Sequence, residues 1–89
     1  MSSINDKFKN SVKNVESLSK RPTDDELLRL YSLYKQSTFG DINIPKPGIF
    51  QLKEKKKWEA WNSVKGMKKE VAMQSYIDNV DYLISVYKQ

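Results

Sequence analysis

The chain has 89 residues, with sixteen lysines and arginines against eleven aspartates and glutamates, and a formal net charge of +5 at pH 7. It contains no cysteine and no histidine, which excludes disulfides, thiolate nucleophiles, the usual proton shuttle and the commonest metal ligand. The length predicts a single domain over residues 1–89, and the charge favours an anionic partner: a nucleic acid, a membrane surface or a phosphorylated metabolite.

The first predicted element is an amphipathic helix over about residues 3–18. Its apolar residues recur at spacings of four, four, three and three, which places them on one side of a helix: Ile4, Phe8, Val12, Val15 and Leu18. No apolar signal core precedes them, and no apolar run in the sequence is long enough to span a bilayer. We therefore expect a soluble, cytoplasmic protein without stable membrane insertion.

The second predicted helix begins at a capping box and ends at Gly40. Thr23 and Glu26 stand three residues apart, the spacing at which each side chain caps the backbone N–H of the other. The apolar arc of this helix is too wide for one interface, which is typical of a helix that contacts the core on one side and a ligand on another. Its members are Leu27, Leu28, Leu30, Tyr31, Leu33 and Tyr34.

A long loop without regular structure is predicted over residues 40–51. This segment holds two prolines and two glycines, which disfavour both helix and strand. Its isoleucines and Phe50 suggest that the loop is ordered and packed down on the domain.

The third predicted helix covers about residues 52–65 and ends at Gly66. Trp58, Trp61 and Val64 lie on one side of it at helical spacing. Tryptophans three residues apart in a small bundle are more often core than ligand contacts, so we interpret both as core residues.

The fourth predicted helix covers about residues 68–87 and has a weak start, because Met67 and Lys68 offer no side-chain acceptor for the free backbone N–H groups. Its predicted buried stripe consists of Met73, Tyr76, Ile77, Val80, Ile84 and Tyr87. Four helices joined by one long loop favour an all-α four-helix bundle, and no segment demands a sheet.

The second and third helices carry a candidate binding site for a phosphorylated ligand with an aromatic base. Tyr31, Tyr34 and Lys35 share one helical face, and Lys53 and Lys57 stand one turn apart on the next helix. Ammonium groups bind phosphate oxygens with charge assistance, and phenols offer stacking area and a hydrogen-bond donor. Two further lysines of the third helix, Lys55 and Lys56, are predicted to point away from Lys57 and to stay solvated.

The order of these residues resembles the acyl-CoA-binding protein family, small cytosolic carriers of long-chain acyl-CoA esters. The motifs that carry the resemblance are LRLYSLYKQSTFGDIN at residues 28–43, PG at 47–48, KWEAWN at 57–62 and AMQSYID at 72–78. The resemblance implies an up-down-down-up bundle that binds acyl-CoA with high affinity. It also implies a monomeric carrier and buffer of the acyl-CoA pool, with no catalytic residue, metal or further cofactor.

The resemblance also implies a role for individual residues. Tyr31 and Lys35 hold the 3′-phosphate region of the nucleotide, and Lys57 reaches in from the third helix. Tyr34 lies against the adenine, and Tyr76 adds a contact to the head group. The remaining implied residues are Lys53 as the outer lysine and Val12, Leu27 and Leu28 as the lining of the adenine and chain groove.

Two positions depart from the family pattern. Glu16 stands where many members have a lysine near the coenzyme, so a carboxylate opposes the phosphates there. Arg21, which precedes Pro22, keeps a cation where a lysine is common.

Two other classes of function stay open from the sequence. A basic nucleic-acid-binding domain fits the net charge, but the basic residues are spread over all four predicted helices and no reading helix is recognisable. An enzyme acting on the thioester of acyl-CoA is the least favoured hypothesis, because histidine and cysteine are absent and no activated serine is evident.

Overall fold

The computed structural model describes residues 3–87, so residues 1–2 and 88–89 of the predicted domain lie outside the described residues. Within that range the chain forms four helices and no strand: α1 (Ile4–Val15), α2 (Asp24–Phe39), α3 (Leu52–Asn62) and α4 (Lys69–Val86). The predicted all-α four-helix architecture is confirmed. None of these four helices combines the length and apolar character needed to cross a bilayer.

Contacts between α1, α2 and α4 fix their relative directions. Phe8 of α1 packs against Tyr76 of α4 with ring centroids 5.0 Å apart. Eleven residues further along each of these two segments, the Ser19 hydroxyl donates to the carbonyl of Tyr87 at 2.9 Å. The chain from α1 therefore runs parallel to α4. The start of α2 lies at the end of α4, where the Tyr87 hydroxyl donates to Glu26 at 2.6 Å, so α2 runs antiparallel to α4.

The direction of α3 follows from its contacts with α2. The Lys57 ammonium lies 5.3 Å from the centroid of the Tyr31 ring, and the Trp61 indole N–H donates to the carbonyl of Gly40 at 2.9 Å. From the first contact to the second, residue numbers rise in both segments, so α2 and α3 run parallel. The helix directions are therefore up, down, down and up, as predicted.

All four helices contribute to one core, and most of its members come from the predicted stripes. Ala72 and Leu83 of α4 are buried although they were not predicted, whereas Met73, Ile84 and Tyr87 of the predicted stripe are only partly buried against the core. Trp61 is buried in it as expected, whereas Trp58 is half-buried and donates its indole N–H to the carbonyl of Ile44 at 2.8 Å. The interpretation of Trp58 as a core residue is therefore wrong, because its ring is used to tie down the long loop. The buried apolar residues are Phe8, Leu30, Leu33, Trp61, Val64, Ala72, Tyr76, Ile77, Val80 and Leu83.

Helix ends follow the predicted local chemistry at α2 and α4. The Glu26 backbone N–H donates to the Thr23 hydroxyl at 3.2 Å, and the Thr23 N–H donates to the Glu26 carboxylate at 2.9 Å, which confirms the capping box. Gly40 ends α2 with a φ of +82°, a conformation that favours glycine. Lys68 makes no side-chain capping bond at the start of α4, as predicted.

The predictions for α1 and α3 extend three residues too far. After Val15 and after Asn62 the backbone continues in tighter turns, in which Leu18 donates to the carbonyl of Val15 and Lys65 to that of Asn62. These turns keep Leu18 and Val64 against the core, so the apolar spacing persists beyond the α-helical hydrogen bonds.

The loop between α2 and α3 is not packed down by its apolar side chains, contrary to the prediction. Ile44, Ile49 and Phe50 are 50%, 68% and 94% exposed, and only Ile42 among the loop's isoleucines packs against the core. Because α2 and α3 run parallel, the loop has to return along the length of α2. Polar contacts anchor it instead: Asp41 accepts from the Gln36 side chain and from the Gly66 N–H, both at 2.8 Å.

Candidate functional site

A cavity of about 440 Å³ lies between the first halves of α2 and α3. Its lining combines apolar side chains with cations, a composition that suits a ligand with both an anionic and an aliphatic part. The lining residues are Arg21, Asp24, Leu27, Leu28, Tyr31, Leu52, Lys53, Lys56 and Lys57.

Tyr31 lines this cavity and has two lysines near its ring. The Nζ atoms of Lys57 and Lys35 lie 5.3 Å and 6.0 Å from the centroid of its ring. Burial, with a smaller effect of the Glu54 charge, raises the pKa of the Tyr31 phenol above its ordinary value of 10.0. The hydroxyl is therefore a neutral donor at physiological pH, next to two ammonium groups. Tyr31, Lys35 and Lys57 thus bring three hydrogen-bond donors from two helices close together, a set of groups whose chemistry suits an anion.

An aromatic cluster formed by Phe8, Tyr34 and Tyr76 extends the site from α2 onto α1 and α4. The Tyr34 ring stacks on Phe8 with centroids 5.9 Å apart and lies 6.4 Å from Tyr76. Tyr34 is 39% exposed, whereas Tyr76 is buried with 4% exposed. Burial, followed by the charges of Tyr34 and Glu16, raises the pKa of Tyr76. Tyr34 thus offers a ring to solvent while Tyr76 supports it from the core.

Most predicted site residues lie in one of these two places. Tyr31, Lys53, Lys57, Leu27 and Leu28 line the cavity, and Lys35 lies next to Tyr31. Tyr34 and Tyr76 belong to the aromatic cluster rather than to the cavity. Val12 is half-buried against the core and is not part of the cavity lining. The role of each of these side chains in binding stays a prediction.

The sequence analysis singled out Arg21 as a cation but missed three other residues that line the cavity, Asp24, Leu52 and Lys56. Lys56 is exposed, as predicted, but it also lines the cavity, because it lies three residues after Lys53 and shares its face of α3. The i, i+3 spacing of these two lysines was a signal that could have found it. Leu52, the first residue of α3, is adjacent to Lys53 and four residues before Lys56.

Arg21 reaches the cavity from the connection between α1 and α2, with its charge partly neutralised. Its guanidinium lies 3.1 Å from the Asp24 carboxylate, and both side chains are exposed and line the cavity. An exposed pair of this kind is held weakly, so a ligand phosphate can compete for the guanidinium. Arg21 is therefore available as an additional cation, with Asp24 opposing any anion at the same end.

Three comparisons with known proteins agree. The model of the family described as "Acyl CoA binding protein" matches residues 5–80. A Drosophila melanogaster acyl-CoA-binding protein homolog is 48% identical over 84 residues, covering 94% of this chain and 98% of the relative. The Saccharomyces cerevisiae acyl-CoA-binding protein is 50% identical over 80 residues, covering 90% of this chain and 92% of the relative.

The structural comparison leads to the same family. The crystal structure of Oryza sativa acyl-CoA-binding protein 2 superposes with a TM-score of 0.90 at 37% identity and covers 94% of this chain and 93% of its own. Sequence and fold match together over nearly the whole chain. The chain therefore belongs to the acyl-CoA-binding protein family.

Proposed function

We propose that this protein binds long-chain acyl-CoA esters with high affinity and acts as a monomeric, cytoplasmic carrier and buffer of the acyl-CoA pool, without catalysing a reaction. The observation that carries the proposal is the position of Tyr31. The Lys35 and Lys57 ammonium groups both lie within 6.0 Å of the centroid of its ring, and the residue also lines a cavity that contains leucines. One ligand can contact both parts only if a phosphorylated head and an aliphatic chain are joined, as they are in acyl-CoA.

The head group of the ligand lies against Tyr31, Tyr34, Lys35 and Lys57 in this proposal. The two ammonium groups and the Tyr31 hydroxyl bind the 3′-phosphate region, with each charge-assisted contact contributing about 1.5–3 kcal/mol. The exposed ring of Tyr34 offers a stacking surface for the adenine, and Tyr76 supports that ring from below.

The acyl chain enters the cavity, where Leu27, Leu28 and Leu52 remove it from water. Each buried methylene contributes about 0.8 kcal/mol, so a long chain supplies on the order of 10 kcal/mol before the costs of ordering. Tight binding therefore requires both ends of the ligand. We expect free fatty acid and free coenzyme A to bind far more weakly than their ester.

Titration calorimetry with palmitoyl-CoA tests the proposal. We expect Lys35→Ala to weaken binding about ten- to hundredfold, the loss of one charge-assisted contact. The same ligand without its 3′-phosphate should bind wild-type protein with a similar loss. Lys9→Ala removes a charge from an exposed position of α1 and serves as the matched control. An unchanged dissociation constant for both Lys35→Ala and the dephosphorylated ligand contradicts the assignment.

No observation favours the nucleic-acid-binding alternative. The lysines at the cavity stand beside leucines rather than along an extended basic face. A titration with short oligonucleotides at two salt concentrations checks this point, because nucleic-acid binding through lysines weakens steeply with salt.

A further inference from the structure

The turn that leads into α3 exposes three large apolar side chains in succession. Ile49, Phe50 and Leu52 are 68%, 94% and 66% exposed. The turn is closed by a hydrogen bond from the Gln51 N–H to the carbonyl of Gly48 at 3.0 Å. A Cβ atom placed on Gly48 meets no heavy atom of the described residues within 4 Å. Apolar side chains in this position require a partner, because an exposed apolar patch marks an interaction surface.

The cavity lies beside this turn. Leu52, Lys53 and Lys56 belong to its lining and are themselves exposed, whereas Phe50 and Ile49 are not part of the lining. We refer to these five residues, Ile49, Phe50, Leu52, Lys53 and Lys56, as the turn patch. A chain bound in the cavity can contact Leu52 but leaves Phe50 without cover.

The turn patch lies in a strongly basic segment of the sequence. Residues 44–57 contain five lysines and one glutamate. Lys46 pairs with Glu59 at 3.5 Å, and Lys57 is directed over the Tyr31 ring. Lys53 and Lys56 form no ion pair among the described residues and flank the exposed apolar side chains. An exposed aromatic ring next to lysines is the composition of a surface that docks on an anionic membrane.

We infer that the turn patch docks the protein on the surface of an anionic phospholipid bilayer, with Phe50 inserted at the level of the headgroups. The lysines supply the attraction, and the apolar side chains supply the insertion. A second copy of this chain is a poorer occupant, because pairing two turn patches brings four lysines together. The charge of the patch therefore selects lipid over self-association.

Docking in this way brings the part of the cavity lined by Leu52, Lys53 and Lys56 to the bilayer surface. An amphiphile with a long acyl chain partitions into the same interface, so it can pass between lipid and cavity without crossing water. This second step rests on the proposed function, whereas docking itself does not require a ligand. The two can therefore be tested separately.

The docking test uses the full, ligand-free chain with sedimenting vesicles of phosphatidylcholine, with or without phosphatidylserine. We expect the wild-type protein to bind the anionic vesicles and to be released by salt. Phe50→Ser should lower the partition coefficient about tenfold, through the loss of most of one buried aromatic side chain. Tyr82→Ser serves as the matched control, because Tyr82 is a 60% exposed aromatic residue on α4, outside the turn patch. It should bind like wild type.

A site-specific label gives a second measurement. The chain has no cysteine, so Phe50→Cys and Tyr82→Cys can each be labelled with an environment-sensitive fluorophore. With anionic vesicles, the label at position 50 should shift to a nonpolar spectrum and the label at position 82 should not. Palmitoyl-CoA titrations of Phe50→Ser without vesicles report separately on the proposed function.

Four results overturn the inference. They are a wild-type protein that does not bind anionic vesicles, equal vesicle binding by Phe50→Ser, a nonpolar shift only at position 82, and a wild-type dimer in solution that Phe50→Ser dissociates. If the second result comes with weakened palmitoyl-CoA binding by Phe50→Ser, then Phe50 covers the ligand chain instead of entering the bilayer.

Discussion

The Nζ atom of Lys35 lies 4.4 Å from the centroid of the Phe39 ring, one helical turn further along α2. The same ammonium lies 5.3 Å from the Trp61 ring, whose indole is fixed by its bond to the carbonyl of Gly40. Cation–π attraction to these rings restricts a side chain that is otherwise long and flexible. Phe39, which is 63% exposed and lines no cavity, therefore has a part in presenting Lys35 next to Tyr31.

We predict that Phe39→Leu weakens palmitoyl-CoA binding about two- to fivefold, because an exposed cation–π contact contributes about 0.5–1 kcal/mol. Phe39→Tyr keeps an aromatic ring and should bind like wild type. Titration calorimetry measures both, and thermal unfolding checks that neither change disturbs the fold. If the leucine and tyrosine variants bind equally well, the ring does not position Lys35.

Neighbouring lysines of α3 offer a second prediction. Lys56 lines the cavity and Lys55 does not. In solution without lipid, we expect Lys56→Ala to weaken palmitoyl-CoA binding about two- to fivefold, the range of a partly exposed charge contact. Lys55→Ala makes the same change in net charge and should leave affinity unaltered. Equal losses in the two variants would show a general effect of charge rather than a contact at Lys56.

Local chemistry explains which parts of this fold were predictable from the sequence. Thr23 and Glu26 cap α2 through neighbouring backbone atoms, so their spacing alone determines the interaction. The position of Trp61 in the core likewise follows from an apolar stripe. The convergence of Tyr31 with Lys57 was predicted from helical spacing on both elements, and it was correct because α2 and α3 run parallel and in contact.

The errors arise where a side chain depends on a distant segment. Trp58 was assigned to the core, but its indole N–H is needed by the carbonyl of Ile44 in the long loop. Phe50 was expected to pack down, but its side chain is 94% exposed in the turn that leads into α3. Hydrophobicity alone does not distinguish a residue that anchors a loop from one that is offered to a partner outside the protein.

Two leucines should separate stability from ligand binding. Leu33 is fully buried in the core, and Leu52 is 66% exposed at the cavity. Leu33→Ala should lower the free energy of unfolding by about 2–5 kcal/mol, as cavity-forming substitutions do. Leu52→Ala should leave stability within about 0.5 kcal/mol and weaken palmitoyl-CoA binding without affecting free coenzyme A. Urea unfolding measures the stability and calorimetry measures the affinity. An equal loss of affinity for palmitoyl-CoA and free coenzyme A would show that Leu52 does not contact the acyl chain.

The hydrogen bond between Tyr87 and Glu26 predicts a dependence of stability on pH in two ranges. This bond, and next the N–H of Thr23, lowers the pKa of Glu26 below its ordinary value of 4.5, so its stabilisation is lost as pH falls below that value. The same bond, more than burial, raises the pKa of Tyr87 above 10.0, so stability declines as pH rises beyond 10.0. Tyr87→Phe should be less stable than wild type at neutral pH. Its free energy of unfolding, measured with urea, should also depend less on pH in both pH ranges. Profiles parallel to those of wild type would contradict this linkage.

Reversing the charge of Glu16 tests whether this carboxylate opposes the ligand. Glu16 follows α1, and its charge contributes to the raised pKa of Tyr76 in the aromatic cluster, which places it within electrostatic reach of the head-group site. Glu16→Lys replaces a repulsion of phosphate by an attraction, so we expect palmitoyl-CoA to bind about three- to tenfold more tightly at low salt.

The gain from Glu16→Lys should shrink as salt is added, because the charges interact across solvent. Asp81→Lys changes the net charge by the same amount on α4, five residues beyond Tyr76 and on a different face of that helix. It should give little gain at any salt concentration. Calorimetry at two ionic strengths separates the cases: equal improvement in both variants means that the phosphates sense only the overall charge, and no improvement in either means that Glu16 lies outside the reach of the bound nucleotide.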